Sequence, residues 1–465
     1  MSPPTTESGG TDPVASGGRR EAPAPPAAPA ASGAPSAPSA GVAADLAGAG
    51  SPASRSQRRR LLLYLAAIGP GLIAASAGND AGGVLTYASA GAQFAYRTLF
   101  FMVVVTVFYV AVQEMVARLA AHTGKGLAAL IREEFSLRWT AFAMVCFAIA
   151  NVGLVVTEFA GIASAFGLWG VSRYVSVPIA AVAIWLLVLL GSYRYAERVF
   201  LLLSLGFLAY PLAMLFGHPA WRTAGANLVF PHFLGTKGFV LLGVALVGTT
   251  ITPYIQLYEA GAVVDRGVGP EEYRLTRFDA VTGAIVSDVI SVCIIIATAA
   301  AIGGTGPLQS AAQAARSLRP VAGAGAETLF GLGLLGASAL AAAVVPLSTS
   351  YALAEAIGVE RSVSRSFRQA PVFLGLFSLQ IVIGALVVLV PGNLIHLIVN
   401  VQVLEGLITP FTLGFVLILA NRRSLLGSAA NGVLGRVVGT VSLIAVGGFS
   451  LVLVVLSITS WFGLG

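Results

Sequence analysis

The chain has 465 residues, 57% of them hydrophobic and only 10% charged, against roughly 25% charged residues in an ordinary soluble domain. With a mean hydropathy of +0.86 it carries more apolar surface than a water-soluble fold can cover, which excludes a soluble enzyme. The net charge of +7 does not point to nucleic acid, because Lys and Arg sit in short loops between hydrophobic runs, where membrane topology accounts for them.

Residues 1–56 are rich in Pro, Ala, Ser and Gly and almost free of large apolar side chains. Such a segment cannot bury enough surface to offset the entropy of ordering, so a disordered cytosolic tail is expected. Arg19 and Arg20 are followed by EAPAPPAAPAAS rather than by an apolar stretch, so they do not read as a twin-arginine signal. From residue 57 to residue 465 the chain reads as one transmembrane domain. Apolar runs of about 20 residues, enough to cross a hydrocarbon core some 30 Å thick, predict eleven helices at about 60–90, 97–119, 139–166, 174–192, 197–216, 238–264, 281–303, 327–357, 371–390, 393–421 and 434–462. The runs are continuous rather than alternating, which selects helices over barrel strands. Cys146 and Cys293 both lie inside apolar runs, where packing is the expected role and neither a disulfide nor a thiolate metal site is available.

With the N-terminus inside, about 21 Lys and Arg fall on the cytosolic side and about six on the other: Arg97, Arg173, Arg222, Lys237, Arg316 and Arg319. The positive-inside rule therefore places the N-terminus in the cytosol and, after an odd number of spans, the C-terminus outside the cell membrane.

Two predicted helices are interrupted. The first, about 31 residues long, carries Gly78-Asn79-Asp80-Ala81-Gly82-Gly83 near its centre, where glycines weaken a helix and a carboxylate would meet lipid. The sixth carries Gly248-Thr249-Thr250-Ile251-Thr252-Pro253; Pro253 removes a backbone hydrogen bond and three hydroxyls offer replacements. The first and sixth are corresponding members of two five-helix halves, about 60–216 and 238–421, with an extra helix at about 434–462. Because five is odd, the halves are inverted relative to each other. Paired interruptions of this kind point to a substrate site at the membrane midplane.

Asp80 is the strongest candidate there. A carboxylate at the bilayer centre costs about 2.5–3.5 kcal/mol on insertion scales; the structural alternative is a carboxylate capping the second half-helix. One carboxylate beside unwound carbonyls suits a hard cation and repels an anion. Glu158 and Asp288, inside the third and seventh helices, are candidates for proton relay or for a structural network. Gln402 in the tenth is a ligand or an interhelical hydrogen-bonding residue. Glu355 and Glu405 fall nearer the cytosolic side, where solvated helix ends are expected. His122, His218 and His232 fall in predicted loops and His396 at a helix start, which indicates no histidine metal cluster.

Gly69-Pro70-Gly71 followed nine residues later by Asp80, together with Gly248 to Pro253, resembles the Nramp family of divalent metal transporters. Thr157-Glu158-Phe159-Ala160, Ser192-Tyr193-Arg194-Tyr195-Ala196-Glu197, Gln402-Val403 and Pro410-Phe411 extend the resemblance over nearly the whole chain after the tail. The resemblance implies an all-α membrane protein with a LeuT-like fold, two inverted five-helix repeats plus an eleventh transmembrane helix, and alternating access to a site between helices one and six. It implies a metal site at Asp80, Ala77, Gly83, Thr249, Thr252 and Gln402, with Glu158 and Asp288 as proton or coupling candidates.

The chain departs from the family where substrate is chosen. Asp80-Ala81-Gly82-Gly83 stands where the family has Asp-Pro-Gly-Asn, so the asparagine ligand is missing at Gly83. Thr252-Pro253-Tyr254 stands for Met-Pro-His, which exchanges a soft thioether for a hydroxyl and removes a histidine linked to proton movement. The family's second acid in the third helix is Gly161. Smaller side chains leave room for water, which Mg²⁺ gives up reluctantly. The pattern is similar to the Nramp-related magnesium transporter branch, and the expectation is a secondary transporter importing Mg²⁺ and Mn²⁺ as substrates, with no cofactor and with the bilayer as its surroundings. The alternatives are a proton-coupled Mn²⁺ or Fe²⁺ symporter of the ordinary Nramp type and, more distantly, an amino-acid symporter of the same fold. An intramembrane enzyme would need a nucleophile with its base or a metal motif such as H-E-x-x-H, and neither is found. The sequence does not specify an oligomeric state.

Overall fold

The computed structural model describes residues 79–189, 193–359 and 369–461. All regular structure among them is helical. Nine helical stretches there are long and apolar enough to cross a membrane, and Arg173–Leu189 is a shorter apolar helix. Large apolar side chains such as Ile179, Leu202, Leu386, Ile444 and Leu451 are exposed on the outside of the helices, as a lipid-facing surface requires.

The described part of the first span is Ala81–Phe94, which turns through a 3-10 segment at Ala95–Thr98 directly into the second, Leu99–Thr123. Gly124, at φ +64°, ends the second span, its N–H donating to the Ala120 carbonyl. The third span is Leu137–Leu168 and the fourth Arg173–Leu189. The fifth runs from Tyr193–Ser204 through Leu205–Leu208 to Ala209–Phe216. The sixth is split into Lys237–Thr250 and Pro253–Asp265. Tyr273–Ile302, Ala326–Ile357, Pro371–Leu389, Leu394–Asn421 and Val433–Trp461 are the seventh to eleventh.

The second and seventh spans reach further than their apolar runs predict. Their extra turns carry His122 in the second and Arg274, Arg277 and Asp279 in the seventh, polar residues that a hydropathy reading leaves outside a span but that prolong a helix beyond the hydrocarbon. Asp279 is paired there with Arg266 at 3.3 Å and Arg118 with Glu114 at 3.3 Å. His122 therefore lies in the last turn of the second span rather than in a loop.

The third span packs extensively against the eighth and the tenth, the sixth against the tenth, and the seventh against the first and second. Asn151 of the third span donates to Thr349 Oγ1 of the eighth at 2.8 Å, the kind of buried polar clasp that joins helices within a membrane. The two interrupted spans lie between these elements.

Candidate functional site

The described part of the first span begins at Asp80, where the sequence predicts the break. Its backbone is extended (φ −70°, ψ −174°) and its Oδ1 accepts the Gly83 N–H at 2.7 Å, capping the helix that begins at Ala81. An N-cap carboxylate satisfies one of the four free N–H groups of the first turn. The capping alternative is thus realised, and it holds the charge at the break, where the positive end of the half-helix favours it. Asn79 beside it donates to Ser287 Oγ at 3.1 Å and accepts from Ser291 Oγ at 3.3 Å, which ties the break to the seventh span. The first half of this span, with Ala77, Gly78 and Gly69-Pro70-Gly71, lies outside the described residues.

In the sixth span the helix stops at Thr250, and Ile251 and Thr252 separate it from Pro253, the first residue of the second half. Proline is favoured at that position because its missing N–H would be unpaired anyway. Thr252 is the N-cap by backbone, yet its hydroxyl makes no capping bond and is buried without a hydrogen-bond partner. Thr250 shares a hydrogen bond with the Tyr87 hydroxyl at 3.0 Å, which joins the two interrupted spans. Thr249 is buried one residue before it.

The tenth span closes against both breaks. A Cβ on Gly248 would lie 2.1 Å from the Gln402 carbonyl oxygen, and one on Gly406 would lie 2.1 Å from the Val244 carbonyl oxygen. Only glycine at both places lets the sixth and tenth spans approach so closely. The Gln402 side chain, fully buried, reaches Gly82, where a Cβ would meet its Nε2 at 2.2 Å; neither its Nε2 nor its Oε1 has a hydrogen-bond partner. Asp80, Gly83, Thr249, Thr252 and Gln402 are all buried at this junction.

The two coupling candidates separate. Glu158 is fully buried alongside Asp80; its Oε1 accepts from Thr157 Oγ1 at 3.3 Å and its Oε2 has no partner. Asp288 sits between the seventh and second spans, near Thr106, Tyr87 and Tyr109, with Oδ2 unpaired. Two expectations are corrected. Gly161 does not open space for water, because a Cβ there would meet Ala81 Cβ at 2.3 Å and Ser338 Oγ at 2.3 Å; the volume of the family's second acid is taken by the first and eighth spans. Glu405 is not a solvated helix end: it is 0% exposed, with both carboxyl oxygens unpartnered, whereas Glu355 is partly exposed. The signal for Glu405 was its place three residues after Gln402, on the same helix face. Among the described residues no three His, Cys, Asp or Glu side chains converge closely enough to hold a metal ion directly. A cavity of about 230 Å³ lined by Ser89, Gln93, Gly238, Pro307, His396 and Asn400 lies along the same three spans, away from the junction.

Residues 71–456 match the family described as "Natural resistance-associated macrophage protein-like". The chain is 27% identical over 420 residues to a "divalent metal cation transporter MntH" of Klebsiella pneumoniae, covering 88% of this chain and 96% of the relative. It is 29% identical over 303 residues to a protein of the same name from Yersinia pestis, covering 63% and 73% of the two chains. Its fold superposes on a manganese transporter of Eremococcus coleocola with a TM-score of 0.68 at 19% identity, over 86% and 88% of the chains. It also superposes on MhsT in complex with L-phenylalanine with a TM-score of 0.56 at 16% identity, over 83% and 97%. The architecture is accordingly a LeuT-like all-α membrane fold of two inverted five-helix repeats plus an eleventh helix. Within that class, the chain belongs to the Nramp family of divalent metal transporters, which are multi-pass membrane carriers and not enzymes.

Proposed function

We propose that the chain imports Mg²⁺ and Mn²⁺ across the plasma membrane by alternating access, with the N-terminus in the cytosol, at a site between the interrupted first and sixth spans. Asp80 is the anionic ligand, and Ala77, Thr249, Thr252 and Gln402 surround the ion with oxygen, while Gly83 leaves one side to water. The observation that carries this reading is the Thr252 hydroxyl, buried at the break of the sixth span with no neighbour to bond but the Glu405 carboxyl group, with which it completes no well-formed hydrogen bond. A buried hydroxyl with no partner is costly unless something binds it. A hard oxygen there suits a hydrated Mg²⁺ better than the thioether of the family pattern would, because Mg²⁺ takes oxygen ligands and keeps several waters.

Competition of Mn²⁺ flux by millimolar Mg²⁺ in reconstituted vesicles tests the assignment. Mg²⁺ is expected to compete in the wild type and to compete at least about tenfold less well in Thr252→Met with Gly83→Asn, a loss of about 1.4 kcal/mol of relative affinity. The double change is needed because the missing asparagine leaves the cage too wide for a dehydrated ion to touch both sides. Absence of Mg²⁺ competition in the wild type returns the chain to the second reading, a proton-coupled Mn²⁺ or Fe²⁺ symporter of the ordinary Nramp type. The placement of Glu158 beside Asp80 favours that second reading.

A further inference from the structure

Glu405 is a buried acid outside the metal-site residues named above. Gln402, Glu405, Gly406 and Thr409 fall at i, i+3, i+4 and i+7, so they form one stripe along the tenth span. The structure shows what that stripe faces. Gly406 lies against the Val244 carbonyl, Gly248 lies against the Gln402 carbonyl and the Gly406 N–H, and Thr409 Oγ1 donates to the Ile251 carbonyl at 3.4 Å. Glu405, between Gln402 and Thr409, is therefore held against the break of the sixth span. Its carboxyl group lies near the Thr252 hydroxyl and near Asp80. Neither Glu405 oxygen and not the Thr252 hydroxyl completes a hydrogen bond.

A carboxylate that is fully buried, adjacent to a second acid and with no donor near it but the Thr252 hydroxyl is a costly arrangement for a helix bundle to hold. Its cost is offset when a cation binds near both it and Asp80. Among the described residues no three His, Cys, Asp or Glu side chains converge closely enough to hold a metal ion directly, and Mg²⁺, which keeps several waters, needs few direct protein ligands. We propose that Glu405 is the second fixed anion of the transport site, holding the coordinated waters of Mg²⁺ from the side opposite Asp80, and that it sets the preference for Mg²⁺ over ions that shed water easily. This inference rests on the divalent-cation reading of the same site.

The test is uptake of Mg²⁺ and of Mn²⁺ by vesicles carrying the purified wild type, Glu405→Gln, Glu405→Asp or Glu405→Leu, with melting temperatures of each protein in detergent, with and without Mg²⁺. In Glu405→Gln and Glu405→Leu the apparent KM for Mg²⁺ is expected to rise about tenfold or more and that for Mn²⁺ no more than about threefold. Glu405→Asp is expected to recover part of the Mg²⁺ affinity. The stabilisation of the wild type by Mg²⁺ should vanish in Glu405→Gln, while the ion-free melting temperature stays equal in Glu405→Gln and rises in Glu405→Leu, as removal of an unpaired buried charge allows. Wild-type Mg²⁺ affinity in Glu405→Gln overturns the proposal, and so does a lowered melting temperature with equal losses for both ions, which is the mark of a structural residue. If the wild type itself carries neither ion, the transport reading fails first and Glu405 loses its cation with it.

Discussion

Asp80 does two things at once, and they can be separated chemically. One oxygen accepts the Gly83 N–H at 2.7 Å and starts the half-helix at Ala81; in the proposed site the negative charge of the whole group is what attracts the cation. Loss of an N-cap costs about 1 kcal/mol, whereas loss of an uncompensated buried charge need not destabilise at all. Asp80→Asn keeps the capping acceptor and removes the charge, and Asp80→Ala removes both. Both are expected to abolish divalent-metal flux, with the melting temperature of Asp80→Asn close to that of the wild type. Wild-type flux in well-folded Asp80→Asn would refute the role given to the charge. Gly161 shows the opposite behaviour, a position whose chemistry is entirely volume: with Ala81 Cβ and Ser338 Oγ 2.3 Å from a modest Cβ, an acid cannot be restored there without pushing the first and eighth spans apart.

At the scale of the helix, the contact between the sixth and tenth spans decides whether the two breaks and the Gln402 stripe share one site. Gly248 and Gly406 each meet a carbonyl oxygen of the other helix at 2.1 Å from their would-be Cβ atoms, and a backbone atom cannot move aside as a flexible side chain can. Gly406→Val should therefore cost about 2 kcal/mol or more by overpacking. The expected outcome is a lower melting temperature together with reduced flux of Mg²⁺ and Mn²⁺ alike, in contrast to the ion-selective losses expected at Thr252 and Glu405. An unchanged melting temperature in Gly406→Val would show that this contact does not hold the site together. Cys146 and Cys293 are free thiols, Cys293 being buried, in keeping with packing roles.

For the whole molecule the open issue is the driving force. Tyr254 stands where the family pattern has the histidine associated with proton movement, and Gly161 stands where it has a second acid. Tyr254 is buried with its ring 5.8 Å from that of Tyr258, an aromatic pair rather than a proton carrier at neutral pH. Asp288 lies at the second and seventh spans rather than at the junction, which leaves Glu158 as the one coupling candidate beside Asp80. Metal entry is expected to proceed without acidification of the vesicle lumen, followed with a trapped pH indicator during Mg²⁺ uptake. Proton entry in fixed ratio to Mg²⁺ would contradict this, and its loss in Glu158→Gln would locate the coupling.

The sequence by itself determined the spans from the second onward and the interruption of the sixth, because a lipid solvent demands long apolar runs and makes a Gly- and Pro-containing break or a buried charge stand out. It marked Asp80 and Gln402 as candidates for the same reason, and Thr252 through the family resemblance. Helix ends were less legible: the second and seventh spans continue past their apolar runs on polar residues, among them Asp279, whose partner Arg266 lies at the end of the sixth span. What the tertiary structure alone decided is which polar groups meet. Glu158 joins Asp80 while Asp288 does not, Gly161 is filled rather than hollow, and Glu405 is sealed against the sixth-span break instead of reaching solvent. Each of those outcomes depends on how closely one helix approaches another, and that distance is set by small residues on two segments far apart in the chain.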